Sequence, residues 1–183
     1  MAAETLRDII RHGAEAYGEQ TAFRYKIKKE IIDKTYNEVN LDSMAVSRAV
    51  EAFGMKGKHI AVIGTTSYQW IITYFGIVNS GSVAVPIDAQ LPADAVCELL
   101  ERADVEMLVF DEIRRDVAEA VKEKCPSVRY ILSMQAEEAA DGYSPCPCSW
   151  PCTQGSMRRN WTAASWPPSS SRQEPPARAR GSC

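Results

Sequence analysis

Along residues 1–143 the apolar positions fall into short runs whose period switches between helical and extended. Leu6, Ile9, Ile10, Ala14 and Tyr17 recur at helical steps and predict an amphipathic helix over 5–17. Two β-prone runs follow, TAFRYKI and EIIDK; the Lys28–Lys29 pair between them predicts a hairpin at the edge of a sheet. Thr35 with Glu38 has the form of a capping box and opens a helix through about Phe53. Gly54 and Gly57 close that helix and lead into the apolar strand HIAVIGT.

From His59 onward the alternation is regular. Strand 59–65 precedes a helix over 67–79 that carries Trp70, Ile71, Tyr74, Phe75 and Val78 on one side. The strand SVAVPI leads through Asp88 to a helix over 93–102, then strand EMLVF at 106–110, a helix over 112–124 and strand VRYILS at 128–133. Strands separated by helices of this length predict βαβ units. The expected fold is therefore α/β: a partial, mainly parallel sheet with flanking helices, preceded by a helix and a β-hairpin. Continuous apolar strands such as IAVIG and VAVPI fit a sheet covered on both faces.

After Tyr143 the pattern stops. Residues 144–183 hold no Leu, Ile, Val, Phe or Tyr, yet carry seven of the ten prolines, four of the six cysteines and three of the four tryptophans. Charge breaks at the same place: residues 1–143 carry 23 acidic and 16 basic side chains, whereas 144–183 carry one acid, Glu174, and five arginines. The chain thus divides into a patterned unit, 1–143, and an irregular, non-globular tail, 144–183, for which disorder is the plain reading of its composition.

The net charge of −3 gives no reason to expect nucleic acid or an anionic membrane as partner. MAAETLRDII places acids where a secretory leader needs a basic patch, and the apolar stretch WIITYFGIVNSGSVAVPI is broken by Asn79, Ser80 and Gly81, too soon for a membrane span. A cytoplasmic protein is expected, with Cys97 and Cys125 as reduced thiols.

Candidate chemistry is sparse. The loop GTTSYQW follows a strand and starts a helix, where backbone N–H groups could meet an anion, but it lacks the glycine spacing of a nucleotide loop; Thr65, Thr66 and Ser67 read first as a helix cap. Asp88 and Asp111 lie at carboxyl ends of predicted strands, where open α/β sheets bind ligands, and each is expected to cap the helix after it. His12 and His59 have no visible catalytic partner and are read as structural. Cys146, Cys148 and Cys152 form C-x-C-x3-C without the fourth ligand or paired knuckles of a zinc site. Asn160–Trp161–Thr162 matches a glycosylation sequon, which means little without a secretory route. No catalytic, cofactor-binding or metal residue is assigned.

The segment from Thr35 to Ser133 resembles the N-terminal part of the AMP-forming acyl-CoA synthetases, within the adenylate-forming enzymes. The resemblance is carried by TYNEV opening a helix that ends in G-x-x-G-K, then HIAVIGTTSYQWIITYFGIVNSGSVAVPIDAQLP, a helix, and MLVFDE. LRDIIRHGAEAYGEQTAFRYK looks like the usual start of that family, and SYQWIITYFGIV with VAVPID looks most like its long-chain fatty-acid branch. The resemblance implies a two-step ligase that uses ATP, Mg2+ and coenzyme A. A carboxylic acid would attack the α-phosphate of ATP to give an acyl-adenylate and pyrophosphate; the thiol of coenzyme A would then displace AMP. It also implies a phosphate loop, T-S-G-T-T-G-x-x-K-G, a few dozen residues after MLVFDE, which this chain does not spell.

The tail acquires meaning when read one base out of register, each codon taking the last base of one residue and the first two of the next. Trp166 and Pro167 then force alanine; Pro168 permits Ala, Ser169 and Ser170 Ile, and Ser171 Phe. Arg172 through Arg178 permit Thr, Ser, Gly, Thr, Thr, Gly and Lys in order, and Glu174 permits only Gly or Arg. The shifted string accommodates AAIIFTSGTTGKSKG, an apolar strand leading into the missing loop. A frameshift, genuine or from sequencing, is expected near residues 141–146. The chain is then an inactive fragment, expected to bind neither ATP, Mg2+ nor coenzyme A, of an enzyme whose partner is a small-molecule carboxylic acid. No nucleic-acid partner and no transmembrane segment are expected of this chain, with peripheral membrane contact left open. The rival reading is a non-catalytic α/β binding module with a disordered interaction tail.

Overall fold

The computed structural model describes residues 5–135 and 143–146. Helix α1 (Leu6–Tyr17) begins where the Thr5 hydroxyl and backbone N–H donate to Asp8 Oδ2, at 2.7 and 3.1 Å. Strands β1 (Thr21–Ile27) and β2 (Glu30–Thr35) pair antiparallel across the Lys28–Lys29 turn, with Lys28 at φ 54°. They form a two-stranded sheet of their own and do not join the edge of the larger sheet as expected. The capping box is present: Glu38 N–H donates to Thr35 Oγ1 at 3.2 Å and Thr35 N–H to Glu38 Oε2 at 2.9 Å, opening α2 (Tyr36–Ala52).

Strands β3 (His59–Ile63), β4 (Val83–Ile87), β5 (Val105–Phe110), β6 (Tyr130–Ser133) and the two-residue β7 (Ser144–Pro145) form one parallel sheet in the order β4-β3-β5-β6-β7. The helices between them are α3 (Tyr68–Asn79), α4 (Ala93–Arg102) and α5 (Arg115–Lys124). The helix expected over 112–124 starts instead as a 3-10 turn, Glu112–Arg114, because Asp111 accepts from Ile113 N–H and caps a tighter first turn. The sheet also takes in residues 144–145, just past the composition break, with Cys146 N–H donating to Ser133 O at 2.7 Å.

Each face of the sheet has its own apolar core. One joins Ile60, Val62, Met107 and Val109 to Val39, Val46 and Val50 of α2 and Ile72 and Ile77 of α3; the other joins Ala61, Ile63, Leu108 and Phe110 to α4 and α5. Residues alternating along β3 and β5 thus enter opposite cores, as expected of the apolar run IAVIG. The VAVPI strand, β4, is instead an edge strand with no buried residue and Val83 47% exposed, so the expectation that it is covered on both faces fails. On α3 the buried residues are Tyr68, Ile72, Thr73, Gly76 and Ile77, while Trp70, Ile71, Tyr74, Phe75 and Val78 are half-buried. Two features explain why the sequence pattern pointed to the latter. The helix has no charged residue to mark an outside, and Gly76 admits α2 so closely that a Cβ there would lie 2.4 Å from Val46 Cβ.

The hairpin is tied to the helical layer by a polar cluster. Tyr68 OH donates to the buried Asp42 at 2.7 Å, Lys34 Nζ lies 3.6 Å from the same carboxylate, and Tyr25 stacks on the Tyr68 ring at 5.3 Å.

Candidate functional site

The order β4-β3-β5 sets the place to look. The chain leaves β3 for β4 on one side, then crosses back to lay β5 on the other, so the topological switch lies between the carboxyl ends of β3 and β5. Gly64 follows β3 there, and a Cβ on it would sit 2.4 Å from Asp111 Cβ. Glycine is what lets the two strand ends close on each other.

Asp111, largely buried, uses both carboxylate oxygens internally: Oδ2 accepts the Thr65 hydroxyl at 2.7 Å and Oδ1 accepts Ile113 N–H at 3.2 Å. Ser67 caps α3 by accepting Trp70 N–H at 3.2 Å. Thr65 thus bridges to Asp111 and leaves the capping to Ser67, and Thr66 is exposed. One strand further on, Glu112 accepts the hydroxyl of the buried Ser133 at 2.5 Å and pairs with Arg115 at 2.8 Å, while its N–H donates to Gln135 Oε1 at 3.0 Å. These residues were not singled out from sequence. The signal available was position alone, since Ser133 ends β6 as Asp111 follows β5.

Asp88 does not cap α4. It accepts Gln90 N–H at 2.9 Å within its own loop, and the residue before α4 is Pro92. The loop is held from across the switch by Arg114, whose guanidinium donates to the carbonyls of Ala89 and Leu91, the latter at 2.9 Å, and pairs with Asp116 at 3.0 Å. The hydrogen bond to Asp116 raises the Arg114 pKa, and Arg114 in turn holds the Asp116 carboxyl below its usual range. A shallow cleft of about 310 Å³ lies beside α5, lined by Arg115, Glu119, Lys122, Glu123 and Tyr143. Its two cations are balanced by two acids, so it exerts no net pull on an anion.

The remaining candidates lie elsewhere. His59 starts β3, at the opposite end of the strand, with Nδ1 2.5 Å from Ala103 O; His12 sits on α1, its Nδ1 buried without a hydrogen-bond partner among the described residues. Cys97, Cys125 and Cys146 are buried and in no disulfide, and no cluster of three or more metal-ligating side chains occurs among the described residues. Cys148, Cys152, the sequon at 160–162 and every position of the shifted phosphate loop lie outside the described residues.

A triphosphate needs unspent donors and cations. At the switch point Thr65 is spent on Asp111, Ser67 on the α3 cap, and Arg114 on carbonyls and Asp116, which leaves Thr66 as the exposed hydroxyl of the loop. The described residues do not fit a nucleotide by themselves. What they form is a hydrogen-bonded rim at the carboxyl end of a parallel sheet.

Comparison with known proteins gives this rim a setting. The family model described as AMP-binding enzyme matches residues 10–171, past the composition break and up to the residue before the first shifted phosphate-loop codon. A long-chain-fatty-acid–CoA ligase of Thermus thermophilus is 23% identical over 139 residues, 75% of this chain and 26% of its own length. Bacitracin synthase 1 of Bacillus licheniformis is 24% identical over 147 residues, 80% of this chain and 3% of its own length. Among solved structures, an anthranilate CoA ligase in complex with anthranoyl-AMP superposes with a TM-score of 0.68 at 21% identity, covering 76% of this chain and 26% of that one. A fatty acyl CoA synthetase of Mycobacterium tuberculosis gives 0.64 at 20% identity, covering 70% and 26%. The chain spans about a quarter of each of these CoA ligases and a far smaller share of the synthase.

Proposed function

The chain belongs to the family of AMP-binding enzymes, and from that premise we propose that it is the amino-terminal part of an acid–CoA ligase acting on a fatty acid. The observation that carries the reading is the family match over 10–171 laid on a sheet whose switch point is built and internally satisfied. The intact enzyme would use ATP, Mg2+ and coenzyme A, and its small-molecule substrate would be a long-chain fatty acid.

In this reading the described residues do no chemistry. Gly64, Thr65 and Asp111 lock the ends of β3 and β5 together, Glu112, Ser133 and Gln135 do the same for β5 and β6, and Arg114 fixes the loop after β4. Together they hold a platform on which later segments of a ligase can position a nucleotide. The missing step on the way to that function is the phosphate loop, which supplies backbone donors and a lysine against the phosphate charge. Its codons fit the tail one base out of frame, from Arg172 onward. The domain boundary falls at Tyr143 by composition, and the frame changes near residues 141–146.

The 183-residue chain is therefore expected to be inactive. Acid-dependent ATP–pyrophosphate exchange checks this: the purified chain should show none with fatty acids of any length, and the frame-corrected, extended protein should show it. Exchange by the 183-residue chain would contradict the proposal.

A further inference from the structure

The tip of the β1–β2 hairpin combines exposed isoleucines with a run of lysines. Residues 26–31 are six consecutive exposed positions, and among them Ile27 and Ile31 are 45% and 69% exposed. The pairing of Lys26 with Ile31 and of Ile27 with Glu30 puts one isoleucine on each face of the ribbon. Lys26, Lys28 and Lys29 surround them, with Glu30 as the single acid of the six. Further down the ribbon, Arg24 and Asp33 neutralise each other through paired bonds of 2.6 and 2.7 Å. The base of the hairpin is fixed by Tyr25 on Tyr68 and by Lys34 near Asp42, so the tip is presented on a tethered ribbon.

We propose that this tip docks the protein on a lipid surface bearing anionic headgroups, with the lysines at the headgroups and Ile27 and Ile31 entering the acyl boundary. Local charge favours it where net charge did not. The tip is cationic while residues 1–143 as a whole carry an excess of acids, so an anionic surface attracts the tip and turns the body away. At physiological salt, charges more than about 8 Å behind the tip are largely screened. Exposed isoleucines among lysines suit a surface that is anionic outside and apolar just beneath. Nucleic acid would be met by stacking aromatics or arginine, and neither occurs at residues 26–31. The inference stands apart from the ligase reading, since it concerns where the protein sits and not what it catalyses.

Vesicle flotation of the full 183-residue chain tests it. The chain should float with vesicles of equal parts phosphatidylcholine and phosphatidylglycerol, stay behind with phosphatidylcholine alone, and be released by raised salt. K28E/K29E and, separately, I27S/I31S should each lower the bound fraction about tenfold. All four side chains stand in solvent, so far-UV circular dichroism should be unchanged in both variants. Absent binding, equal binding to both vesicles, or binding indifferent to I27S/I31S overturns the proposal. Binding to polyglutamate as strong as to the anionic vesicles also overturns it, and points to an acidic protein partner.

Discussion

Residues 5–135 and residues 144–183 obey different rules. In the first region apolar residues arrive at strand or helix spacing, and the buried carboxylates of Asp42 and Asp111 find partners in Tyr68 and Thr65. In the second no branched aliphatic residue occurs in forty positions, while proline, cysteine and tryptophan accumulate. A chain selected to fold needs apolar side chains that fill space in defined rotamers, and prolines cannot replace them. On the proposed reading, composition changes abruptly for a reason that lies in the gene and not in the fold. On that reading the tail is a run of misread codons.

The contrast breaks most sharply at Gly76. Gly76→Val drives a side chain into Val46 and Ser43 O, already 2.4 and 2.9 Å from where a Cβ would stand. It should cost about 3 kcal/mol or more, enough to abolish cooperative unfolding in urea followed by circular dichroism. A smaller loss is expected from Tyr68→Phe, which removes the 2.7 Å bond to buried Asp42; about 1–2 kcal/mol should appear as a lower urea midpoint.

The Arg114–Asp116 pair sharpens the contrast through pH. Asp116 is held below its ordinary 3.8 chiefly by the hydrogen bond from Arg114. A carboxyl depressed in the folded state stabilises above its unfolded pKa, and that contribution is lost as pH falls through the folded value. Below about pH 4 the wild type should therefore lose an increment that Asp116→Asn lacks. The increment is small because Asp116 is more than half exposed. Stability measured from pH 7 to pH 2 in both proteins checks this; parallel curves would count against the clamp. Smallest of all is the effect of deleting residues 147–183, which should shift the unfolding free energy by less than about 0.5 kcal/mol. A larger loss would mean that the tail contributes to folding and would erase the contrast.

Much of the fold was legible because the strands alternate with helices that are capped by recognisable residues. Thr35 and Glu38 announced α2, Gly54 and Gly57 its end, and the apolar runs from His59 to Ser133 gave the parallel sheet its strands in order. What failed did so where sequence carries no contrast. On α3, free of charge on every side, the buried face could not be told from the half-buried one until Gly76 was seen against α2. Asp88 looked like a cap because helix caps and short-loop turns use the same residue types at the same strand ends. The hairpin was foreseen, but its separation from the main sheet depends on side chains brought together from Tyr25, Lys34, Asp42 and Tyr68, far apart in sequence. At the switch point Thr65, Ser67 and Asp111 were visible as polar strand-end residues, whereas the Glu112–Ser133–Gln135 set and the reach of Arg114 required the register of β5 and β6.

The central claim is that a family fold runs into a tail read out of frame. Sequencing the gene across codons 135–185 tests it most directly. The account predicts an alternative register, open from about codon 145, that spells T-S-G-T-T-G from the codons of Ser171 to Ala177. Stop codons in that register, or any other reading at those positions, would contradict it.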